Sequence, residues 1–444
     1  MKLNAVLLRY SLILFCFSCS SEKGNQANNT NSSEITAVNL IDNLSNTTEA
    51  FLLSEISDQV EAVQLEIDPN HLFDEEDIEN LQIGENYLFF YTGRSGILQY
   101  NRSGKFIRQI GRIGRGPGEY ILLRSYAVDQ GSQTIMGYSN WSHSLLFHDF
   151  EGNFKKAVNP LYMGSSDYPS IHLFGKYYLI EQNPFFGPGI IDTSLVYNLA
   201  ITDSAFHEVK ILTDPTYKNR KAEIVANRYD PYDSWANFYQ GPPPVKKIRS
   251  DHLDFIYYGG DTIYRIGTDL QVKPRYVIDT GKKMPFDILH YRCHPLEYFD
   301  YLLIRNFHET PEYVFFDLGY KKRQYKARFR KSDGYTDMLA NDATINDIHL
   351  SGHLYSRRRE GPVPFFTNDL NGSGAFNPQW TDEKHWICAY PAYKLMSMNL
   401  DSLRQTAVKF PAARDQFVNL IENMKETDGP VLMIVHLKGT QDEK

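Results

Sequence analysis

Short apolar stretches separated by polar turns run through most of the chain. Val63, Leu65 and Ile67 alternate with Gln64 and Glu66, the pattern of a half-buried strand, and Asp68-Pro69-Asn70 ends it. A phrase then recurs. Ile97 to Phe106 has a counterpart in Leu145 to Phe154, with Gly104 and Gly152 aligned 48 residues apart and each two residues before a phenylalanine. A weaker copy spans Thr262 to Leu270, and each copy follows an aromatic or aliphatic run: Tyr87 to Tyr91, Thr134 to Tyr138 and Leu253 to Tyr258. The unit reads strand, turn, strand, polar-glycine hairpin, strand. Less regular units pair Lys176–Ile180 with Ser194–Leu199, Tyr301–Arg305 with Tyr313–Asp317, and Ile345–Leu354 with Trp386–Tyr390.

Short strands recurring every ~40–50 residues are the signature of propeller blades. Residues 57–410 divided among six blades give about 59 each, and seven blades at the shorter period is the alternative count. Helical spacing is scarce until Pro411, where Phe417, Leu420, Ile421 and Met424 fall on one face. Asp428-Gly429-Pro430 stops that helix, and Val431 to Leu437 is apolar on both faces, hence a buried strand. Ring closure removes exposed sheet edges, so Val431–Leu437 and the early strand Val63–Ile67 are expected in the same or adjoining blades. The expected fold is all-β: a six-bladed β-propeller of four-stranded antiparallel blades over residues 51–444, with a short C-terminal helix and a closing strand.

Between the first two units lie four glycines and a proline, Gly111 to Gly118. Phe106 to Ile110 reads as the last strand of one small sheet, and the glycines as a tight crossing into the next. A phosphate cradle is not supported: no Lys-Ser/Thr follows Gly116 or Gly118, and Tyr120-Ile121-Leu122-Leu123 does not open a helix.

Composition agrees with this reading. Of 444 residues, 42% are hydrophobic, and 30 Tyr and 27 Phe favour strands over helices. The formal charge of −8 and the lack of a long basic segment argue against a nucleic-acid partner. Lys2 and Arg9 before the apolar run Leu12–Phe17 and Ser18-Cys19 read as a targeting segment over 1–19, too short for a comfortable membrane span. Residues 20–50 are expected to be a flexible polar tether, with folded sequence starting between Thr48 and Val60. Cys293 and Cys388 do not make a disulfide framework; they either pair or stay buried as small apolar groups.

Several residues are candidates for chemistry. Arg112, Arg115 and Glu119 beside the glycines are candidate contacts for an anionic or polyol ligand at the channel mouth, or hydrogen-bonding groups between blades. Arg228, Tyr229, Tyr232, Trp235, Phe238 and Tyr239 make an aromatic insertion suited to a sugar face or a protein partner, or packed on its own ring. Asn368 to Gly374 has the look of a calcium loop but lacks the closing glutamate, so an Asx-type turn is expected. His349 and His353 flank Ser351-Gly352, His290, Cys293 and His294 have no second cluster, and no G-x-S-x-G elbow exists. No catalytic residue, metal set or cofactor is assigned.

Three phrases resemble the six-bladed β-propeller lipoproteins of Gram-negative bacteria, distant relatives of NHL-repeat propellers. These are Gly111-Arg112-Ile113-Gly114-Arg115-Gly116-Pro117-Gly118-Glu119-Tyr120, Asn368 to Pro378 with Ser373 inside the glycine pair, and Gly429-Pro430-Val431-Leu432. Cys19 resembles the lipid-accepting cysteine of a lipoprotein signal, with Cys16 where leucine usually stands. The resemblance implies export and a lipid anchor in the cell envelope, at the outer membrane, but carries over no catalytic residue. The functional expectation is a membrane-anchored binding or scaffolding module for a glycan or an envelope protein. The alternative is a lyase or glycosidase with a polar site at the channel mouth.

Overall fold

The computed structural model describes residues 35–139, 142–159, 170–181, 199–213, 215, 245–249, 251–257, 259–285, 297–340 and 365–439. Two strands, β1 (Thr36–Asn39) and β2 (Ser57–Gln64), precede the first blade. Blade 1 is β3 (Glu79–Ile83), β4 (Tyr87–Thr92), β5 (Gly96–Asn101) and β6 (Phe106–Ile110). A short parallel pair, β7 (Arg112–Ile113) and β8 (Glu119–Tyr120), leads to blade 2: β9 (Leu123–Asp129), β10 (Thr134–Ser139), β11 (Ser144–Asp149) and β12 (Phe154–Val158). Blade 3 is β13 (Ser170–Phe174), β14 (Tyr177–Glu181), β15 (Leu199–Thr202) and β16 (Glu208–Leu212). Blade 4 is β17 (Val245–Ile248), β18 (His252–Ile256), β19 (Thr262–Gly267) and β20 (Val272–Asp279). Blade 5 is β21 (Leu303–Glu309), β22 (Tyr313–Tyr320), β23 (Arg323–Arg330) and β24 (Thr336–Ala340). A hairpin of β25 (Phe366–Asn368) and β26 (Gly374–Phe376) precedes blade 6, which opens with β27 (Trp380–Thr381) and β28 (His385–Tyr390). Helices α1 (Ala392–Met396), α2 (Leu400–Gln405) and α3 (Pro411–Glu422) follow, then β29 (Val431–Leu437).

The two chain ends close the ring as expected. β29 pairs antiparallel with both β28 and β2, with Val63 opposite Leu432, so the N-terminal strand is the outer strand of blade 6. The first strands of the blades meet around the axis and wall a central channel: β3 beside β9, β9 beside β13, β13 beside β17, β17 beside β21 and β27 beside β3.

Six separate apolar layers fill the gaps between blades, one per gap. Phe89 and Ile97 of blade 1 meet Tyr126 and Leu146 of blade 2, and Leu179 and Ile201 of blade 3 meet Phe255 and Ile266 of blade 4. A strand in this arrangement is covered on both faces, which is why runs such as Leu88-Phe89-Phe90-Tyr91 lack a polar side. Phe417 and Ile421 of the C-terminal helix, with Met424 just beyond its end, join Phe315 and Phe366 in the layer between blades 5 and 6.

Two expectations are corrected. The folded chain starts earlier than Thr48: β1 lies inside the stretch 20–50 read as tether and adds in parallel to β20 as a fifth strand of blade 4. From there the chain pairs at Thr47 with Met338 of β24, buries Phe51 between blades 5 and 6, and enters β2. It thus straps the outer edges of three consecutive blades, a cover for edges that would otherwise template association. A four-residue strand is too short to leave a period in the sequence. Helix also begins before Pro411, in the one- to two-turn α1 and α2, whose Leu395 and Leu403 are buried. The Ser194–Asn198 part of the third unit and Ile345–Leu354 of the sixth lie outside the described residues.

Candidate functional site

Charge concentrates on and beside the channel-side strands of blades 3 to 5. On blade 3, His172 of β13 stands on the inner strand and Glu181 of β14 lies opposite Ser170, two residues earlier. Blade 5 repeats the arrangement: His308 of β21 is on the inner strand, and Asp317 of β22 lies opposite Asn306, again two residues earlier. The histidine-to-carboxylate distances match, 3.8 Å for His172 Nε2 to Glu181 Oε2 and 3.7 Å for His308 Nε2 to Asp317 Oδ2. A lysine completes each set. Lys246 of β17 reaches from blade 4 to Glu181, and Lys326 of β23 pairs with Asp317 within blade 5.

Burial and ion pairing compete at these groups, and pairing wins at the carboxylates. Burial alone would raise Glu181, yet Lys246 beside it holds its carboxyl down to about 2. Burial likewise opposes ionisation of Asp317, and Lys326 overrides it. The histidines go the other way: burial, reinforced by the charge of Lys247, takes His308 down to about 3, and burial with Lys246 lowers His172. Both rings are therefore neutral at pH 7. His308 is only 3% exposed, packed edge-on to Trp386 and 3.2 Å from Asn306 Nδ2, so its ring has no route to a ligand.

A second network joins blades 4 and 5. Arg265 grips Asp254 with Nε at 2.7 Å and Nη2 at 2.6 Å, and Arg275 bridges Asp254 to Glu309. Lys331 reaches Glu309 at 2.5 Å, and Tyr276 donates to it at 3.2 Å. Bidentate forks of this kind fix blade orientation as well as charge. Beside this network stand two cations of different status. Lys247 and Arg249, two residues apart on one side of β17, form no ion pair among the described residues. Lys247 Nζ lies 3.5 Å from Thr381 Oγ1 of β27, and Arg249 donates to the Glu309 carbonyl at 3.3 Å.

The glycine stretch is an architectural clasp between blades 1 and 2. Tyr120 is buried, donates to the Ile110 carbonyl at 2.8 Å, and accepts from the Ile97 N–H at 3.1 Å. Gly96 lets that hydroxyl approach, since a Cβ there would lie 2.2 Å from it. Gly118 adopts φ 77°, and a Cβ on it would meet the Phe154 ring at 2.4 Å. Glu119 accepts from the Gly116 N–H at 2.8 Å and so closes its own loop, while Arg112 and Arg115 are exposed on it. Arg228, Tyr229, Tyr232, Trp235 and Tyr239 lie outside the described residues, as do Cys19, Cys293 and the His290–His294 and His349–His353 pairs. Cys388 is a buried free thiol, pushed up to about 12 by burial.

Asn368 forms the expected Asx turn: its Oδ1 accepts from Leu370 and Asn371 N–H, and its Nδ2 donates to Ser373 Oγ at 2.7 Å. Among the described residues no group of three or more His, Cys, Asp or Glu side chains is arranged to hold a metal ion, and no helix is long and apolar enough to cross a membrane.

Sequence reasoning missed His172, Glu181, Lys246, Lys247, His308, Asp317 and Lys326. One signal was available for part of this set. Asp317 lies opposite Lys326, Arg328 opposite Asp337, and Asp254 opposite Arg265, so opposite charges face each other across hairpins of calculable register.

None of the curated proteins matches the chain. Among solved structures, a protein described as exported from Bacteroides fragilis NCTC 9343 superposes with a TM-score of 0.57 at 17% identity, covering 91% of this chain and 100% of its own. A member of the duf4221 family from Bacteroides vulgatus ATCC 8482 superposes with a TM-score of 0.42 at 13% identity, covering 64% and 88%. The model of one family, described as a domain of unknown function (DUF4934), matches residues 35–436, from the strap through the closing strand, and the chain belongs to that family.

Proposed function

We propose that this protein is an exported, lipid-anchored envelope propeller that binds a glycan or a protein partner. One observation carries the reading. Four antiparallel strands return the chain to the face it came from, so every blade-to-blade crossover, and every link from second to third strand, joins strand ends on one face. The stretches 160–169, 182–198, 216–244, 286–296 and 341–364 all connect ends on that face, as does the Gly111–Tyr120 clasp. Loops gathered on one side of a rigid ring are how such scaffolds build a binding surface. Arg228, Tyr229, Tyr232, Trp235 and Tyr239 belong to one of these stretches, and Arg112, Arg115 and Glu119 to the clasp. The exported Bacteroides fragilis protein of like fold supports the envelope assignment.

The test is a glycan-array and envelope-lysate capture screen, followed by calorimetry. Truncating a hot-spot aromatic costs upward of ~2 kcal/mol, so Trp235→Ala/Tyr239→Ala should weaken binding about thirtyfold with little change in melting temperature. Equal affinity in the variant, or its collapse, sinks the reading. The partly accessible Lys247 on the inner strand β17 is the observation behind a second reading, a lyase or glycosidase. Turnover of a captured glycan, abolished by Lys247→Met, would establish it.

A further inference from the structure

We propose that Lys247 and Arg249 form an oxyanion-binding site in the channel, near the face opposite the long connections. Lys247 lies on β17 and Arg249 directly follows its last residue, Ile248, with its N–H bonded to the His252 carbonyl across the hairpin, so the extended spacing of two keeps both side chains on one side. β17 is an inner strand, so this side opens on the channel, and Arg249 begins the β17–β18 hairpin on the short-loop face. The Thr381 hydroxyl joins them from blade 6. A guanidinium, an ammonium and a hydroxyl offer the donors that a phosphate, sulfate or carboxylate group requires.

Charge balance points the same way. Among the described residues, the charged networks around β17 hold seven cations (Lys246, Lys247, Arg249, Arg265, Arg275, Lys326, Lys331), whereas the carboxylates within them are four, Glu181, Asp254, Glu309 and Asp317, with Asp251 at the hairpin turned to His252. The whole chain carries −8, so the excess is local. Each carboxylate is already bonded to a lysine or arginine other than Lys247 and Arg249. Cations that outnumber the carboxylates beside them, on side chains that remain partly accessible, attract an anion.

The neighbours also set a pH limit. Burial comes first and lowers Lys247, Asp317 opposes it, and Lys246, Arg249 and Lys326 add to the lowering, leaving Lys247 down to about 8. Of the other groups facing it, His308 is neutral and Asp254 is held by Arg265 and Arg275; Asp251 at the nearby hairpin is turned to His252 at 2.6 Å. The cationic form that binds an anion is therefore full below pH 8 and lost above it.

The experiment uses the detergent-solubilised full chain. Sulfate, inorganic phosphate and glucuronate are titrated calorimetrically at pH 6.5, with glucose as the uncharged control. At least one anion should bind where glucose does not, and the three arms tell a phosphate-like from a carboxylate ligand. Lys247→Met and Arg249→Gln should each weaken binding about tenfold or more. Sulfate keeps its charge across the range, so its affinity should fall as pH rises through about 8. Lys247→Arg should keep binding and move that fall beyond pH 9.5, a change that a purely structural lysine would not produce. No anion binding by wild type, full affinity in Lys247→Met, or a flat sulfate profile from pH 6.5 to 9.5 would each overturn the proposal. The aromatic variant and the lysine variant alter different segments of the chain and are read out with different ligands, so they fail independently.

Discussion

Asp317 and Lys326 provide the sharpest test of how the charged wall is held. Lys326 is fully buried, Asp317 is 9% exposed, and the pair faces the Phe366 ring and Trp386 side of blade 5. Asp317→Asn leaves an ammonium in place with its counter-ion gone, and breaking a buried pair in this way costs roughly 3–5 kcal/mol. Lys326→Met leaves the carboxylate alone and should cost a similar amount. Replacing both by apolar groups, Asp317→Leu with Lys326→Met, removes the desolvation penalty together with the attraction, and is expected to lie within about 1 kcal/mol of wild type. The singles and the double then give a coupling energy well above ~2 kcal/mol. Urea denaturation followed by circular dichroism measures it, with the midpoint shifting and the slope constant. A loss below about 1 kcal/mol in Asp317→Asn, or a double variant as unstable as the two singles summed, refutes the argument. Either result would mean that water reaches Lys326.

Other outcomes follow from the same contacts. Burial holds His308 neutral, down to about 3 from the ordinary histidine value of 6.5, so the unfolded chain binds more protons between these values; stability should fall as pH drops through that window, and His308→Gln should flatten the slope. Glu181 is depressed to about 2 from 4.5, so its contribution is full above pH 4.5 and lost toward pH 2, and Glu181→Gln should reduce acid sensitivity there. Tyr120→Phe strips the Ile110 carbonyl and the Ile97 N–H of a partner and should cost about 1–3 kcal/mol in urea melts; an unchanged midpoint would remove the clasp from the account. Deleting Pro430–Lys444 takes away β29, which pairs with both β2 and β28, and should cause aggregation or loss of the thermal transition. Mass spectrometry of the membrane-extracted protein should find a diacylated N-terminus at Cys19, and Cys19→Ala should release the protein; an unmodified N-terminus elsewhere would exclude the anchor.

The fold was legible because each blade is buried on both faces. Runs such as Thr134-Ile135-Met136-Gly137-Tyr138 announce themselves without alternation, and turn glycines such as Gly104 and Gly152 mark the hairpins. The inner-wall site was not legible, for a related reason. In β23 the apolar set Tyr325, Ala327 and Phe329 shares a strand with Gln324, Lys326 and Arg328, and a lone strand of that kind reads as half solvent-exposed. Only pairing across the hairpin shows that Lys326 and Arg328 are buried against Asp317 and Asp337. Lys246 and Lys247 were harder still, since their partners stand 65 residues before and 134 residues after them in the chain.

The channel wall divides into two halves with different physics, and the division fits a rigid ring with one recognition sector. From blade 1 to blade 3 the inner strands are sewn by neutral hydrogen bonds. Gln82 donates to the Tyr126 carbonyl at 3.1 Å and accepts from the Val128 N–H at 3.1 Å, Tyr126 donates to the carbonyls of Asn80 and Phe89, and Ser125 Oγ accepts from the Ile171 N–H at 2.8 Å. Such seams satisfy buried backbone groups and leave no charge to attract a ligand. From blade 3 to blade 5 the inner strands and the strands beside them carry paired charges, with Lys247 and Arg249 outside any ion pair among the described residues. A buried ion pair contributes little net stability compared with an apolar pair of the same size. Six apolar layers already hold the blades, so stability does not require these charges. What the pairs do achieve is orientation: they fix the strands from which the two unpaired cations project, at the cost of a site that works only while Lys247 keeps its proton.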